Sequence, residues 1–384
     1  MQEYFEFGLG GRVLYKVGLA RELGQVVADL GGRRAFVVAD KGVVAAGLLA
    51  PVVEGLGPAV EVAGVLDDVP PNSSLRVVTS GAEAVRAAGA DVIVAVGGGS
   101  PLDTAKGIAL LATYGGSIPE YEGYNVIPGK LMPLVAVPTT AGTGSEVTSI
   151  AVILDEDENR KISLVSRYLY PDLAVLDPEL TLTLPPRLTA ATGMDALSHA
   201  IETYVSTENN PFSDSLALAA IDMISTHLRD AVQSGNDIDA RGQMLLASTM
   251  AGIAFSNSLL GVVHAIAHAV GAKFPVHHGT LNAIILPHGM QYNSVVAPER
   301  YVRIARAMGV NLGGRSDEEV IADGVLAVKT LVADCGLPAR LRDVEVPEEA
   351  LPELAALALV EPAIFNNPRI ATEEELLELL RAMW

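Results

Sequence analysis

The stretch DVIVAVGGGSPLDTAK, residues 91–106, does most to limit the folds open to this chain. A continuous apolar, β-branched run ends in three glycines and passes straight into a helical pattern. An apolar run without alternation is a strand covered on both faces. A strand handing directly to a helix is half of a βαβ unit, which implies a parallel sheet with crossover helices. The same grammar recurs around it. RRAFVVAD (33–40), AVEVAGVL (59–66), PLVAVPTT (133–140) and IAVILD (150–155) read as strands, and 19–32, 73–89 and 101–114 as helices. The N-terminal FEFGLGGRVLYKVG (5–18) reads as a strand able to pair across subunits.

The pattern changes at LTLPPRL, 182–188, where two prolines close the strand region. Beyond it the apolar residues recur with helical period over 188–205, 212–234, 239–256, 260–272, 298–308, 316–335 and 347–358. The last segment, TEEELLELLRAM, opens with a capping box of Thr372 and Glu375. The expectation is an α/β domain over residues 1–185 followed by an all-α domain over 186–384. No internal repeat or low-complexity tract interrupts either.

Composition narrows the function. The net charge of -20 argues against nucleic acid and anionic membrane surfaces, which both select basic patches. No apolar run has the length of a membrane span, and the N-terminus lacks the basic and apolar regions of a signal peptide. Cys335 is the single cysteine, so a disulfide framework and a thiolate metal site are both excluded. The expected setting is the cytoplasm. Any metal must be held by His, Asp or Glu.

Two loops of the first half suit a phosphate. In GGGSPLDTAK the glycines let the backbone approach a ligand, and Ser100 and Pro101 open a helix whose free N–H groups face the loop. A tight strand-to-helix turn would look similar. PTTAGTGSEVTS (138–149) gathers Thr139, Thr140, Thr143, Ser145 and Thr148, a dense hydroxyl set for ribose and phosphate oxygens. Two such loops on one parallel sheet suggest a dinucleotide along its carboxyl edge. Asp40 ends the strand RRAFVVAD. There it can accept from ribose hydroxyls and repel a 2′-phosphate, favouring NAD over NADP, or it can simply cap the helix that starts at Lys41.

The second half holds the histidines. Asp195 and His199, four apart in MDALSHAIETY, share one face of an apolar helix. A structural ion pair and half of a metal site both fit that spacing. His264 and His268 are again four apart in GVVHAIAHAVGA, and His277 and His278 stand at the entrance of the next helix. Burying so many titratable groups is costly unless a divalent cation shares the cost. One Asp with several His suits Fe²⁺ or Zn²⁺, whereas calcium would select more oxygens. Spacing alone does not say which three histidines bind.

In order and spacing, GGGSPLDTAK, PTTAGTGSEVT, ATGMDALSHAIE and GVVHAIAHAVG with HHG resemble the iron-containing (group III) alcohol dehydrogenases. The likeness runs from Phe5 to the NPR triplet at 367–369. It implies a Rossmann-like NAD-binding domain and a helical metal-binding catalytic domain, as in the dehydroquinate synthase-like fold. It assigns the metal, Fe²⁺ first and Zn²⁺ second, to Asp195, His199, His264 and His278. His278 is chosen over His277 because it directly precedes Gly279. The resemblance makes His268 a catalytic residue on the substrate side, with Phe255 lining the substrate pocket. It maps NAD(H) contacts onto Asp40, Asn72, Gly98, Gly99, Ser100, Asp103, Thr139, Thr140, Thr143, Thr148, Lys161 and Leu180. His277 receives no role. The implied reaction is hydride transfer between NAD(H) and a small primary alcohol or diol, or its aldehyde, in a homodimer or larger assembly. The rival readings are a dehydroquinate-synthase-like or glycerol-dehydrogenase-like enzyme of the same fold and a non-catalytic nucleotide- or metal-binding protein.

Overall fold

The structure, a computed structural model, describes residues 4–158 and 160–384. The chain forms two compact units, residues 8–183 and residues 184–384, and residues 4–7 group with the second.

In the first unit nine strands alternate with five helices. The strands are β1 (Arg12–Tyr15), β2 (Arg34–Asp40), β3 (Glu61–Val69), β4 (Val92–Gly97), β5 (Gly123–Tyr124), β6 (Leu134–Pro138), β7 (Ile150–Asp155), β8 (Arg160–Val165) and β9 (Leu173–Leu176). The helices are α1 (Leu23–Asp29), α2 (Lys41–Ala45), α3 (Leu49–Leu56), α4 (Leu75–Ala88) and α5 (Gly99–Tyr114). Six strands make one sheet in the order β1-β9-β6-β4-β2-β3, and every pairing in it is parallel. Alternate residues of the central strands β2, β4 and β6 enter different cores, as period-2 geometry demands. In β4, Ile93 and Ala95 join the core containing α4 and α5, while Val92, Val94 and Val96 join the one containing α1 and α3. Apolar demand on both faces is what makes these strands unbroken Val/Ile/Ala runs.

Three expectations are corrected here. IAVILD is a strand, but β7 pairs antiparallel with β8 in a separate sheet, β5-β8-β7. The short connection from Asp155 to Arg160 cannot carry the crossover that a parallel pair needs. The N-terminal strand is shorter than the pattern suggests, Arg12–Tyr15, and pairs along one edge with β9 of its own chain, and its position at the end of the sheet leaves pairing across subunits as an expectation. The helix after GGGS starts at Gly99 rather than at Ser100–Pro101, so the glycines cap it instead of leading to it.

The second unit is helical: α6 (Pro186–Val205), α7 (Pro211–Gln233), α8 (Ile238–Ser258), α9 (Val262–Lys273), α10 (His278–Ser294), α11 (Pro298–Ala307), α12 (Asp317–Asp334), α13 (Leu351–Val360) and α14 (Glu373–Ala382). Pro185 and Pro186 sit where a helix tolerates proline, at the N-cap and first turn of α6. From Thr189 to Val205 every residue of α6 is buried, because α7, α8 and α10 pack around it. A helix covered on all sides needs no amphipathic stripe. Thr372 and Glu375 form the expected capping box at the start of α14. Phe5 and Phe7 lie against Phe212 of α7, with ring centroids 6.0 and 5.2 Å away. These contacts tie the first described residues to the helical unit rather than to the sheet.

Candidate functional site

The buried centre of the second unit gathers four of the expected side chains. Asp195 and His199 lie one turn apart on α6, with Nε2 of His199 3.8 Å from Oδ1 of Asp195. α9 brings Nε2 of His264 to 3.7 Å from the same oxygen, and the first residue of α10 brings Nε2 of His278 to 3.5 Å. Donor atoms of Asp195, His199 and His264 all lie within 4.8 Å of one another. These three side chains are almost fully buried, whereas His278 is 39% exposed. The cluster therefore has one accessible side. Phe255 of α8 stacks on His199 at 4.5 Å and adds an apolar wall.

Local chemistry fixes the ring orientations. The Glu202 carboxylate, one turn beyond His199 on α6, accepts from Nδ1 of His264 at 2.5 Å. That bond leaves the lone pair of His264 on Nε2, the nitrogen facing Asp195. Nδ2 of Asn282, one turn along α10 from His278, donates to Oδ1 of Asp195 at 2.7 Å and lies 3.1 and 3.2 Å from Nε2 of His264 and His278. One carboxylate and several imidazole nitrogens converging on one buried point is a donor set that fits a divalent transition metal.

The electrostatics show how tightly these groups are coupled. Burial opposes ionisation of Asp195, yet His199, His278 and His264 hold its carboxyl far below the usual range. Burial likewise opposes a charge on His264, but its bonds to Asp195 and Glu202 push its pKa up to about 9. His278 moves the other way. Burial and the neighbouring histidines drive its pKa well down, although Asp195 opposes the shift. A cation coordinated here would have to displace a proton from His264 while meeting little competition at His278.

The structure separates the remaining histidines. The His268 ring stands 5.3 Å from that of His278 and 5.9 Å from that of His264, and its Nδ1 bonds Oε2 of Glu361 at 3.1 Å. It is partly exposed at the edge of the cluster. His277 is the N-cap residue of α10 and lines a neighbouring cavity of about 410 Å³ with Arg187 and Thr280. Glu202, Asn282 and Glu361 escaped sequence reasoning. The first two carry a readable signal, since each lies three or four residues beyond a candidate ligand on the same helix. Glu361 is 93 residues from His268 and has none.

In the first unit the glycine and threonine loops meet at the carboxyl ends of adjacent strands. Thr139 N–H donates to the carbonyl of Gly97 at 3.0 Å, continuing the β4–β6 register. Gly97 has φ of 151°, and a Cβ there would come 2.5 Å from Pro101. A Cβ on Gly98 would lie 3.3 Å from Oγ1 of Thr140, and one on Gly99 3.1 Å from Cγ2 of Thr143. Neither Gly98 nor another side chain caps α5, so its first amides are left to a ligand or to water. This bare cradle at a helix N-terminus fits a pyrophosphate. Asp40 ends β2 next to it and accepts from Val43 N at 2.8 Å, so the helix-cap role is real. Its Oδ2 lies 3.4 Å from the position of a Cβ on Gly97, at the same sheet edge.

Several expected cofactor contacts are engaged inside the unit. Fully buried Lys106 donates to Ser145 Oγ at 3.0 Å, Thr148 Oγ1 at 2.9 Å, Thr148 O at 3.1 Å and Ile150 O at 2.7 Å. Asp103 accepts from Ser145 Oγ at 2.7 Å and from Val152 N at 3.1 Å. Sequence reasoning passed over Lys106, the pin that holds the threonine loop to α5. Ser100 Oγ donates to the carbonyl of Pro71, beside exposed Asn72. Lys161 lies on β8 in the smaller sheet, and the Leu180 side chain belongs to the core containing α1 and α3.

Known proteins resemble the chain over nearly its whole length. The family "Iron-containing alcohol dehydrogenase" matches residues 10–178, and "Fe-containing alcohol dehydrogenase family, C-terminal" matches residues 189–384. A 1,3-propanediol dehydrogenase of Citrobacter freundii is 42% identical over 354 residues, covering 92% of each chain. An NAD-dependent methanol dehydrogenase of Bacillus methanolicus is 36% identical over 364 residues, covering 95% of this chain and 96% of the other. The crystal structure of a 1,3-propanediol oxidoreductase superposes with a TM-score of 0.97 at 38% identity, with full coverage of both chains.

Proposed function

Because the chain belongs to the iron-containing alcohol dehydrogenases, we propose that it interconverts a short primary alcohol or diol and its aldehyde with NAD(H), and that Asp195, His199, His264 and His278 hold the divalent ion. The observation that carries this reading is the buried group Asp195, His199 and His264, with Nε2 of the half-exposed His278 3.5 Å from the same Asp195 oxygen. Fe²⁺ is the expected occupant, and Zn²⁺ satisfies the same donors. A divalent ion bound there supplies Lewis acidity to an alcohol or aldehyde oxygen, and NAD(H) supplies the hydride acceptor or donor.

The chain's own residues do the rest. Glu202 and Asn282 orient the ligand side chains. Phe255 presents an apolar surface beside His199, which keeps water from that side and suits the carbon chain of a short alcohol. His268, bonded through Nδ1 to Glu361, has its other ring nitrogen available to carry the proton that an alcohol loses or an aldehyde gains. Gly98, Gly99 and the first turn of α5 bind the pyrophosphate, with Ser100, Thr139, Thr140 and Thr143 around it. Asp40 meets the adenosine ribose and disfavours a 2′-phosphate, so NAD is preferred over NADP. Asn72, Lys161 and Leu180 contribute at the periphery, while Asp103 and Thr148 act through Lys106 and Ser145. We place the enzyme in the cytoplasm as a homodimer or larger assembly. The single, buried Cys335 suits a reducing compartment, and β1 is an edge strand with Val13 and Tyr15 exposed.

The test is NAD-linked oxidation of a panel of short alcohols and diols after reconstitution with Fe²⁺ or Zn²⁺. NADH formation with at least one primary alcohol, lost on chelation, is the expected result. NAD binding without turnover across the panel would overturn the reading.

A further inference from the structure

α9 begins without a cap of its own, since its N-cap residue is Gly261 and offers no side-chain acceptor. Its first amides are nevertheless satisfied, by residues distant in sequence. Val262 N donates to Oδ1 of Asn367 at 3.1 Å. Val263 N donates to Oε1 of Glu202 at 2.6 Å, and His264 N to Oε2 at 3.2 Å. The same Oε2 accepts from Nδ1 of His264 at 2.5 Å. Glu202 is 2% exposed, so this carboxylate spends its acceptor capacity on one helix start and one ring. The fit leaves no slack. A Cβ on Gly261 would stand 2.7 Å from Oδ1 of Asn367 and 3.1 Å from Oε1 of Glu202. Asn367 is itself clamped, exchanging two 2.8 Å hydrogen bonds with Asn293 of α10.

We propose that Glu202 is a positioning residue of the metal site, which locks the start of α9 and the His264 ring together so that metal retention depends on how that helix is capped. The proposal rests on the reading of Asp195, His199, His264 and His278 as ligands. A backbone amide and a ring N–H of the same residue, held by one carboxylate, leave His264 neither tautomeric choice nor freedom to rotate. Its Nε2 is thereby held toward Asp195 and His199. A carboxylate that merely capped the helix would not need to reach the ring. One that merely oriented the ring would not need the two amides.

The test uses the full-length protein stripped of metal, with Co²⁺ alone as the probe. Affinity is measured by competition with a chromophoric chelator, the ligand field by visible absorption, and folding by the melting temperature of the metal-free form. Glu202→Gln should weaken Co²⁺ binding by about 10–100-fold and alter the visible spectrum. Gly261→Ala, whose Cβ would press first on Asn367 Oδ1 and then on Oε1 of Glu202, disturbs the same helix start without changing the carboxylate and should weaken binding in the same direction. Ser316→Ala removes the cap of α12, whose hydrogen bonds among the described residues do not reach Glu202 or Asn367, and should lower the melting temperature while leaving Co²⁺ affinity at the wild-type value. Wild-type affinity and spectrum in Glu202→Gln or Gly261→Ala, with only the melting temperature lowered, would reduce Glu202 to a helix cap and overturn the proposal. Failure of the wild type to bind Co²⁺ would instead overturn the metal reading on which it stands.

Discussion

His264 turns Nδ1 to Glu202 and Nε2 toward Asp195, while His268, one helical turn further on, turns Nδ1 to Glu361. The i, i+4 spacing makes these two rings equivalent in sequence. What separates them is depth, with side-chain exposures of 1% and 36%, and partners that arrive from α6 and from the segment after α13. Helix geometry alone puts Asp195 and His199 on one face, and leaves open whether they form an ion pair or half of a metal site. The choice among the other histidines was not legible, because it depends on residues 62 and 93 positions away. The same geometry predicts different failures. His264→Ala should lose metal and turnover together, by more than the roughly 10–100-fold that an outer-shell partner costs, since it removes a proposed ligand and leaves buried Glu202 without its ring partner. His268→Ala should keep a full metal complement and lose turnover by about 10²–10⁴-fold, the usual contribution of a positioned acid or base. Metal content measured beside kcat separates the two. A metal-free His268→Ala would make that histidine a ligand.

At the level of elements, the loop 139–149 is shaped by α5 more than by its own sequence. Its hydroxyls looked like a ligand-binding set, and part of that set is spent internally on Lys106 and Asp103. A lysine inside a helical pattern reads as an ordinary solvated side chain, and nothing local in the sequence signals that Lys106 is buried. The alternation that defines the parallel sheet was legible because buried strands demand unbroken apolar runs. β8 escaped because its pattern, half exposed, belongs to the small mixed sheet β5-β8-β7 instead. Burial dominates the pKa of Lys106 and lowers it to about 8 from 10.5, although Asp103 and Glu146 favour the charge. Between those two values the unfolded chain binds more protons than the folded one, so folding gains stability as pH rises through the window. The gain is on the order of 3 kcal/mol. Wild type should therefore gain on Lys106→Met by about that amount between pH 8 and 10.5, read from denaturant midpoints of both proteins at each pH. Lys106→Met should also be the less stable protein throughout, because Ser145 Oγ and the carbonyls of Thr148 and Ile150 lose a buried donor. A difference between the two proteins that stays flat with pH would mean that Lys106 remains charged throughout.

For the whole molecule, the candidate metal ligands all lie within residues 184–384 and the dinucleotide cradle within residues 8–183. The periodicity of the sequence changes at Pro185–Pro186, and the compact units divide between Thr183 and Leu184. The allegiance of residues 4–7 was not legible, since it rests on a non-local contact of Phe5 and Phe7 with Phe212. This division predicts that the two ligands stabilise different parts of the protein. A ligand at a thousand times its dissociation constant adds about 4 kcal/mol to the state that binds it. A metal held as proposed would tie together α6, α9 and α10, so chelation should raise amide exchange at the starts of α9 and α10, where His264 and His278 sit. The strands β2, β4 and β6 should keep their protection, because their hydrogen bonds and both of their apolar faces are independent of the helical cluster. NAD should do the reverse, slowing exchange across 97–106 and 139–149. Hydrogen exchange followed by mass spectrometry on four samples, with and without each ligand, reads both effects at peptide resolution. Uniform loss of protection over the sheet and the helices on chelation would show that the metal supports the global fold instead of the geometry of its own ligands.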